Sequence, residues 1–197
     1  MVRKPSILLN ARTESRKRVL AWTDAAGVSR IIAAVLYFNG RWFYTRIRVP
    51  DHVWSQLLPR RDNQITMQEF LAVPLLLATF AAPLRQSMAL LAVDNQGVLG
   101  ALISGRAGVD DLNMGIGKTW LMIAEAGLAL HVVRVESNAN IADGPTREDL
   151  GPMEEVGAFF WWTQFCRTGS ANFGIGQLSS PCGLAQPYDE ARFLNQT

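Results

Sequence analysis

The chain is expected to fold as an α/β protein. Its sheet is mixed: three antiparallel strands lead into strands joined through helices on both faces. Three observations predict this. Short apolar runs end at Asp24 and again at Asp94. Asn39-Gly40, a strong two-residue hairpin signal, separates two strand-like runs. Longer apolar stretches of helical length stand between the later strands.

Residues 19–23 form the first short buried strand, and Asp24 follows it. Ala25, Ala26 and Gly27 make a small-residue turn. Residues 29–38, rich in Ile, Val and Ala, form the second strand. The third, 41–49, alternates: Trp42, Tyr44, Arg46 and Arg48 face one way, and Arg41, Phe43, Thr45, Ile47 and Val49 the other. Pro50 ends it.

Residues 51–64 read as a loop with a short helical piece at 53–58. Thr66 then opens a long apolar helix to about Leu84. Thr66-Met67-Gln68-Glu69 fits a capping box, with Thr66 as N-cap and Glu69 three residues on. Pro74 lies inside this helix and should kink it near Phe70, at roughly 3 kcal/mol unless compensated. Residues 88–93 are a fourth, wholly apolar strand ending at Asp94. A short helix (95–103), a Gly-containing loop (104–109), a longer helix (110–128) and a fifth strand (129–136) follow. Ile141 begins a further helical stretch, broken early by Gly144-Pro145. Residues 156–166 are aromatic and apolar and read as an added helix. Residues 168–197, rich in Gly, Ser, Pro and Gln, read as a poorly ordered tail. The expected division is a basic arm over 1–18, the α/β domain over 19–150, an aromatic C-terminal helix over 151–167 and a flexible tail over 168–197.

The 197 residues are enough for one domain with extensions, and 49% of them are hydrophobic, so a sizeable core is available. Charged residues make up 18%, too few for a disordered chain of high net charge. The net charge of +2 is uninformative, but its distribution is not. Arg3, Lys4, Arg12, Arg16, Lys17 and Arg18 face a single acid, Glu14, in the first eighteen residues. Such an arm can follow a phosphate backbone, or it can be a solvated tail. Cys166 and Cys182 form no C-x-x-C pair and have no nearby His, which argues against zinc and for a reduced, intracellular protein. No apolar run of signal-peptide length follows the basic N-terminus. The longest apolar stretch, 70–82, is interrupted by Pro74 and is too short to cross a bilayer. A soluble protein without a membrane partner is expected.

Ligands gather at the carboxyl ends of strands in open sheets with helical connections. Asp24 and Asp94 both follow apolar strands. If those strands are neighbours, the two carboxylates face each other, and a bound cation relieves their repulsion. Hard oxygen ligands in small number suit magnesium or manganese. Each acid also has a plainer reading. Asp24 can start a turn, Asp94 can cap the next helix, Glu69 can complete its capping box, and Asp143 can sit favourably in an early helical turn. Gly115-Ile116-Gly117-Lys118-Thr119 is no phosphate-binding loop, because Leu112 stands where a Gly is needed. The aromatic group Phe159, Phe160, Trp161, Trp162 and Phe165 reads as core or interface, with base stacking as the alternative.

TDAAG (23–27), QEFLAV (68–73), AVDNQGVLGAL (92–102) and NIADGPTR (140–147) resemble the ribonuclease H domain of retroelement polyproteins. The resemblance spans roughly residues 19–147, with element order kept. It implies a ribonuclease H-like five-stranded sheet and an endonuclease that cuts the RNA strand of RNA–DNA hybrids. Two Mg²⁺ ions (Mn²⁺ as a substitute) would be held by Asp24, Glu69, Asp94 and Asp143. In that family Asp24 would bridge both ions, Asp143 would serve the ion that activates water, and Glu69 and Asp94 the ion at the leaving oxygen. A reverse transcriptase domain in a parent polyprotein would be the partner, and this chain would be a separated domain. Asn95, Gln96 and Asn138 lie near the expected rim and are candidate contacts to hybrid, with Arg16, Lys17 and Arg18 from the arm.

The chain also departs from the pattern. Arg30-Ile31-Ile32-Ala33 stands where relatives carry glycines around a Trp. No His lies between Glu136 and Asp143, and the loop 104–109 holds only Gly105-Arg106-Ala107-Gly108 where some enzymes carry a basic insertion. These departures suggest slow turnover and weak substrate grip. The alternative function is a weak or inactive module of the same fold, acting in nucleic-acid binding or complex assembly. A proofreading exonuclease is disfavoured by Ala26, and a transposase that used Glu125 would leave Asp143 unexplained.

Overall fold

The computed structural model describes residues 16–59 and 64–161. Residues 1–15, most of the expected basic arm, and the expected tail lie outside the described residues. The strands are β1 (Arg18–Ala26), β2 (Ile31–Phe38), β3 (Arg41–Arg48), β4 (Met88–Val93), β5 (Ala129–Arg134) and β6 (Phe159–Phe160). They form one sheet in the order β5-β4-β1-β2-β3-β6. β1, β2 and β3 are antiparallel, while β4 lies parallel to β1 and β5 parallel to β4. Three antiparallel strands followed by parallel ones through helical crossovers is the mixed α/β, ribonuclease H-like arrangement.

The β2–β3 hairpin closes as its sequence requires. Asn39 (φ 49°) and Gly40 (φ 75°) both adopt positive φ, which matches the twist of the flanking strands. β2 starts at Ile31, two residues later than the pattern implies, because Arg30 (φ 57°) belongs to the turn. β1 runs past Asp24 to Ala26, pairing Asp24 with Ala33. Asp24 is therefore a strand residue, and the turn lies further on.

The helix expected over 66–84 is two helices, α2 (Ile65–Thr79) and α3 (Ala81–Leu84), after a short α1 (Asp51–Trp54). Phe80 (φ −105°, ψ 35°) makes the break, while Pro74 is carried inside α2. The capping box does not form. Gln64, in the left-handed region at φ 68°, occupies the N-cap position without a side-chain cap bond. Glu69 is thus released from a capping role. α2 is buried nearly all round, since it lies between the sheet and the helices α4 (Gln96–Ser104) and α5 (Asp110–Glu125).

The main core fills the space between the sheet and α2 to α5, around Phe43, Phe70, Phe80 and Leu91. A smaller core lies on the opposite face. There Val35, Ala142 and Met153 pack with Trp22, Trp42 and Tyr44 under α6 (Asp143–Thr146) and α7 (Gly151–Glu155). Helices thus cover both faces, as the pattern predicts.

A sixth strand and the absence of a helix at 159–161 correct the expectation for the aromatic segment. β6 pairs parallel with Phe43 and Tyr44, and Trp161 N donates to Tyr44 O at 2.8 Å. The open edge of β3 has backbone groups to satisfy. The same pairing sets Trp161 against Phe43 and Phe80, ring centroids 5.6 and 5.9 Å away. Edge pairing plus ring burial outweighs a local helix here. The sheet therefore extends past residue 150, where a domain boundary was expected. Among the described residues no helix is long and apolar enough to cross a membrane.

Candidate metal centre

The register decides where the acids fall. β1 pairs with β4 so that Trp22 stands beside Ala92. Continued by two residues, this register sets Asp24 level with Asp94. Level residues on neighbouring strands point to the same face, so these carboxylates share one row at the sheet rim. Asp24 is only 5% exposed, on the face covered by α6. Glu69 comes from the second turn of α2, and Asp143 from the first turn of α6.

Asp24 is within electrostatic reach of Asp94, Asp143 and Glu69, and Glu69 is within reach of Asp94. Burial is the main cause that raises Asp24 to about 6; the charges of Asp94 and Asp143 add to it, and a hydrogen bond from Thr146 opposes it. Burial also leads in raising Glu69 to about 8, reinforced by Asp94 and Asp24 and opposed by the Asn95 side chain. Asp24 is the member that senses both flanks of the set. The Oδ1 atom of Asp94 is buried and has no hydrogen-bond partner among the described residues. Desolvated, mutually repelling carboxylates with a spare buried oxygen have the chemistry that a divalent cation satisfies. Among the described residues, no three His, Cys, Asp or Glu side chains converge closely enough to form a ready-made metal cage. The donor types fit magnesium.

Several polar residues that position this set carry no obvious signal in the sequence. Thr146 Oγ1 lies 2.8 Å from Asp24 Oδ2 and 2.8 Å from the Asp143 carbonyl oxygen, so one hydroxyl links two of the acidic residues. Asn140 is buried. Its Nδ2 donates to Thr23 O at 3.0 Å, and its Oδ1 accepts from Ala142 N at 3.2 Å. It ties the segment before Asp143 to β1. Gln68, fully buried, donates to Gly27 O at 3.3 Å and ties the start of α2 to the β1–β2 turn. Arg147 Nε donates to Asp143 Oδ1 at 2.7 Å and orients that carboxylate from solvent.

The expected nucleic-acid contacts divide. Asn95 is the N-cap of α4, accepting from Gly97 N at 2.8 Å and Val98 N at 3.1 Å, and its side chain also bonds Glu69. Its side chain is committed to the cap and to Glu69. Gln96 and Asn138 are exposed at the rim end of the sheet. Arg16, Lys17 and Arg18 are not brought to the site. Arg18 begins β1 six residues before Asp24, about 20 Å away along the strand. Arg16 donates to Gly127 O at 3.2 Å, and the Lys17 ammonium lies 5.8 Å from the Phe38 ring centroid.

The sequence matches no family model and no curated protein. Among solved structures, the chain is similar to RNase H1 from the halophilic archaeon Halobacterium salinarum NRC-1. The TM-score is 0.49 at 20% identity, covering 68% of this chain and 98% of that one. It is also similar to LC11-RNase H1, isolated from compost by a metagenomic approach (TM-score 0.47, 13% identity, 70% and 99% covered). A third is the N-terminal RNase H domain of rv2228c from Mycobacterium tuberculosis (TM-score 0.40, 15% identity, 71% and 97% covered). The strand order and strand senses themselves define the class here, an α/β domain of ribonuclease H-like fold with an acidic row at its rim.

Proposed function

We propose that the chain is a metal-dependent endonuclease that hydrolyses the RNA strand of RNA–DNA hybrids. One observation carries this reading: Asp24 on β1 and Asp94, just past the end of the adjacent parallel strand β4, are in electrostatic reach of each other, with Glu69 and Asp143 in reach of Asp24. Asp24, Glu69, Asp94 and Asp143 would hold two Mg²⁺ ions, with Mn²⁺ as a substitute. Bound there, such cations supply charge neutralisation at the attacking and leaving oxygens of an in-line displacement.

The chain's own residues prepare the carboxylates. Thr146 donates to Asp24 and favours its ionised form. Asn95 does the same for Glu69, against the burial that holds a proton there. Arg147 fixes the rotamer of Asp143. Selection of RNA would rest on 2′-hydroxyl contacts and on the groove shape of the hybrid, with Gln96 and Asn138 placed to contribute. The resemblance to retroelement domains suggests a reverse transcriptase as partner, and the cysteine usage, Cys166 and Cys182 without a C-x-x-C pair, suggests a reducing, intracellular setting.

A labelled hybrid incubated with the full chain and magnesium tests the proposal. The expected result is cleavage of the RNA strand alone. Asp94→Asn should lower it by at least about 100-fold, the scale lost with one electrostatic stabiliser of a transition state. Undiminished metal-dependent cutting by Asp94→Asn would overturn the reading. Hybrid binding without cleavage by the unaltered chain would favour a non-catalytic module.

A further inference from the structure

One face of the parallel half of the sheet meets solvent. β4 lies between β1 and β5 and runs parallel to both, and parallel strands are as a rule buried on both faces. Toward the main core this holds, where Val19 and Ala21 of β1 and Ala89 and Leu91 of β4 are buried. On the opposite face the register sets Leu20, Leu90 and His131 side by side, and the row continues from Leu20 to Tyr37 and Trp42. Leu20 is 38% exposed, Leu90 is 37% exposed and His131 is exposed too, although β1 and β4 are interior strands. Contiguous exposed apolar surface of this kind marks an interaction site more often than it marks ordinary surface.

The other half of the same face carries a covering layer. There α6 lies over β2 and β3, and Met153 of α7 packs with Val35 and Ala142 against Trp42 and Tyr44. That layer is acidic on its outside. Glu154 and Glu155 of α7 are exposed, and Val156 beside them is 47% exposed. The uncovered half has a basic border. Arg18 opens β1 two residues before Leu20, on the same face and exposed. Arg16 Nη1 donates to Gly127 O at 3.2 Å, which holds it beside the start of β5. Arg18, Glu154 and Glu155 make no ion pair among the described residues.

We propose that this face is the interface of a homodimer, in which α7 of each copy covers the Leu20–Leu90 row of the other. A two-fold axis running along the strands, between the two halves of the face, exchanges the covered half of one copy with the uncovered half of its partner. One symmetry operation then buries both leucine rows, as an isologous interface requires. It also brings Glu154 and Glu155 toward the partner's Arg18, and Val156 toward the partner's Leu90. A second copy is favoured over another occupant because the face carries both sides of the match: an apolar row with a basic border, and an acidic helix with an apolar neighbour. The charges set the register of the pair and the leucines supply its apolar centre. The inference stands independently of the nuclease reading.

Sedimentation velocity of the full chain tests it, with concentration raised to about 0.2 mM, at which a dimer of micromolar dissociation constant is nearly fully formed. The expected result is a mass that doubles with concentration. Leu90→Glu should raise the dissociation constant at least about 100-fold, because the interface would bury two copies of an unpaired charge. Arg18→Glu and Glu155→Lys should each raise it about tenfold at low salt, and the two together in one chain should restore most of the affinity. These two positions are exposed, so they keep the test decisive if Leu90→Glu fails to fold. A chain that stays monomeric at the highest concentration would overturn the interface, whatever else covers the face. A dimer unaffected by all three changes would overturn it as well. A monomer whose binding to RNA–DNA hybrid is weakened by Leu90→Glu would assign the face to nucleic acid instead.

Discussion

The Thr146 hydroxyl lies 2.8 Å from Asp24 Oδ2, and both residues are buried. That bond joins α6 on one face of the sheet to the centre of the acidic row. It also bears on the charge of Asp24, because burial alone would hold a proton on it more firmly. Thr146→Val keeps the shape and removes the donor. It should cost about 1–3 kcal/mol at pH 7.5, where the Asp24 carboxylate would be ionised and left with less compensation. Urea unfolding would measure the loss, and Thr146→Ser should restore most of it. A stable Thr146→Val protein at pH 7.5 would show that the bond contributes little.

Asn140 is the second tie between β1 and the Asp143 segment. Asn140→Ala would strand the Thr23 carbonyl and the Ala142 N–H in a dry site. Two broken buried bonds predict a loss on the order of 2–4 kcal/mol. The same change should lower hybrid cleavage further than the folded fraction explains, since Asp143 would lose its fixed position. Folded fraction by circular dichroism, set beside the cleavage rate, separates the two effects.

Glu69 and Asp24 give the apoprotein a pH dependence of definite sign. Both hold protons in the fold at pH values where the unfolded chain has lost them. The folded state then binds more protons, so stability falls as pH rises from about 4, through 6 for Asp24, to about 8 for Glu69. Without divalent ions the melting temperature should drop by about 3 °C or more between pH 5 and pH 8.5. Glu69→Gln should flatten much of that slope.

Magnesium held by these carboxylates, as proposed, would compete with those protons. Its affinity should therefore rise with pH through the range around 8 in which Glu69 gives up its proton. Calorimetric titrations at pH 6.5 and pH 9 would read this directly. Equal affinity at both values would mean that Glu69 is no ligand.

Local pattern determined a good deal of this protein. Asn39-Gly40 fixed the hairpin because both positions accept positive φ. The apolar run ending at Asp94 gave β4 its bounds, and the alternation of residues 41–49 separated Phe43 and Thr45, which enter the main core, from Trp42 and Tyr44, which face α6 and α7. Short-range sterics and burial periodicity act within a few residues, so the sequence carries them openly.

Other features needed the whole fold. Thr66 and Glu69 satisfy the capping-box spacing, yet α2 starts from Gln64, because packing of α2 between sheet and helices sets where it begins. The aromatic segment has helical spacing, yet Phe159 and Phe160 pair with the edge of β3, whose open hydrogen-bonding groups lie more than a hundred residues earlier in the chain. Asp24 and Asp94 could be marked as acids at strand ends from the sequence. That they come together at one end of the sheet was decided by the parallel pairing of β1 with β4. Thr146 and Asn140 reach the same row only through pairings distant in sequence, and no local pattern encodes a contact whose two halves lie on different elements.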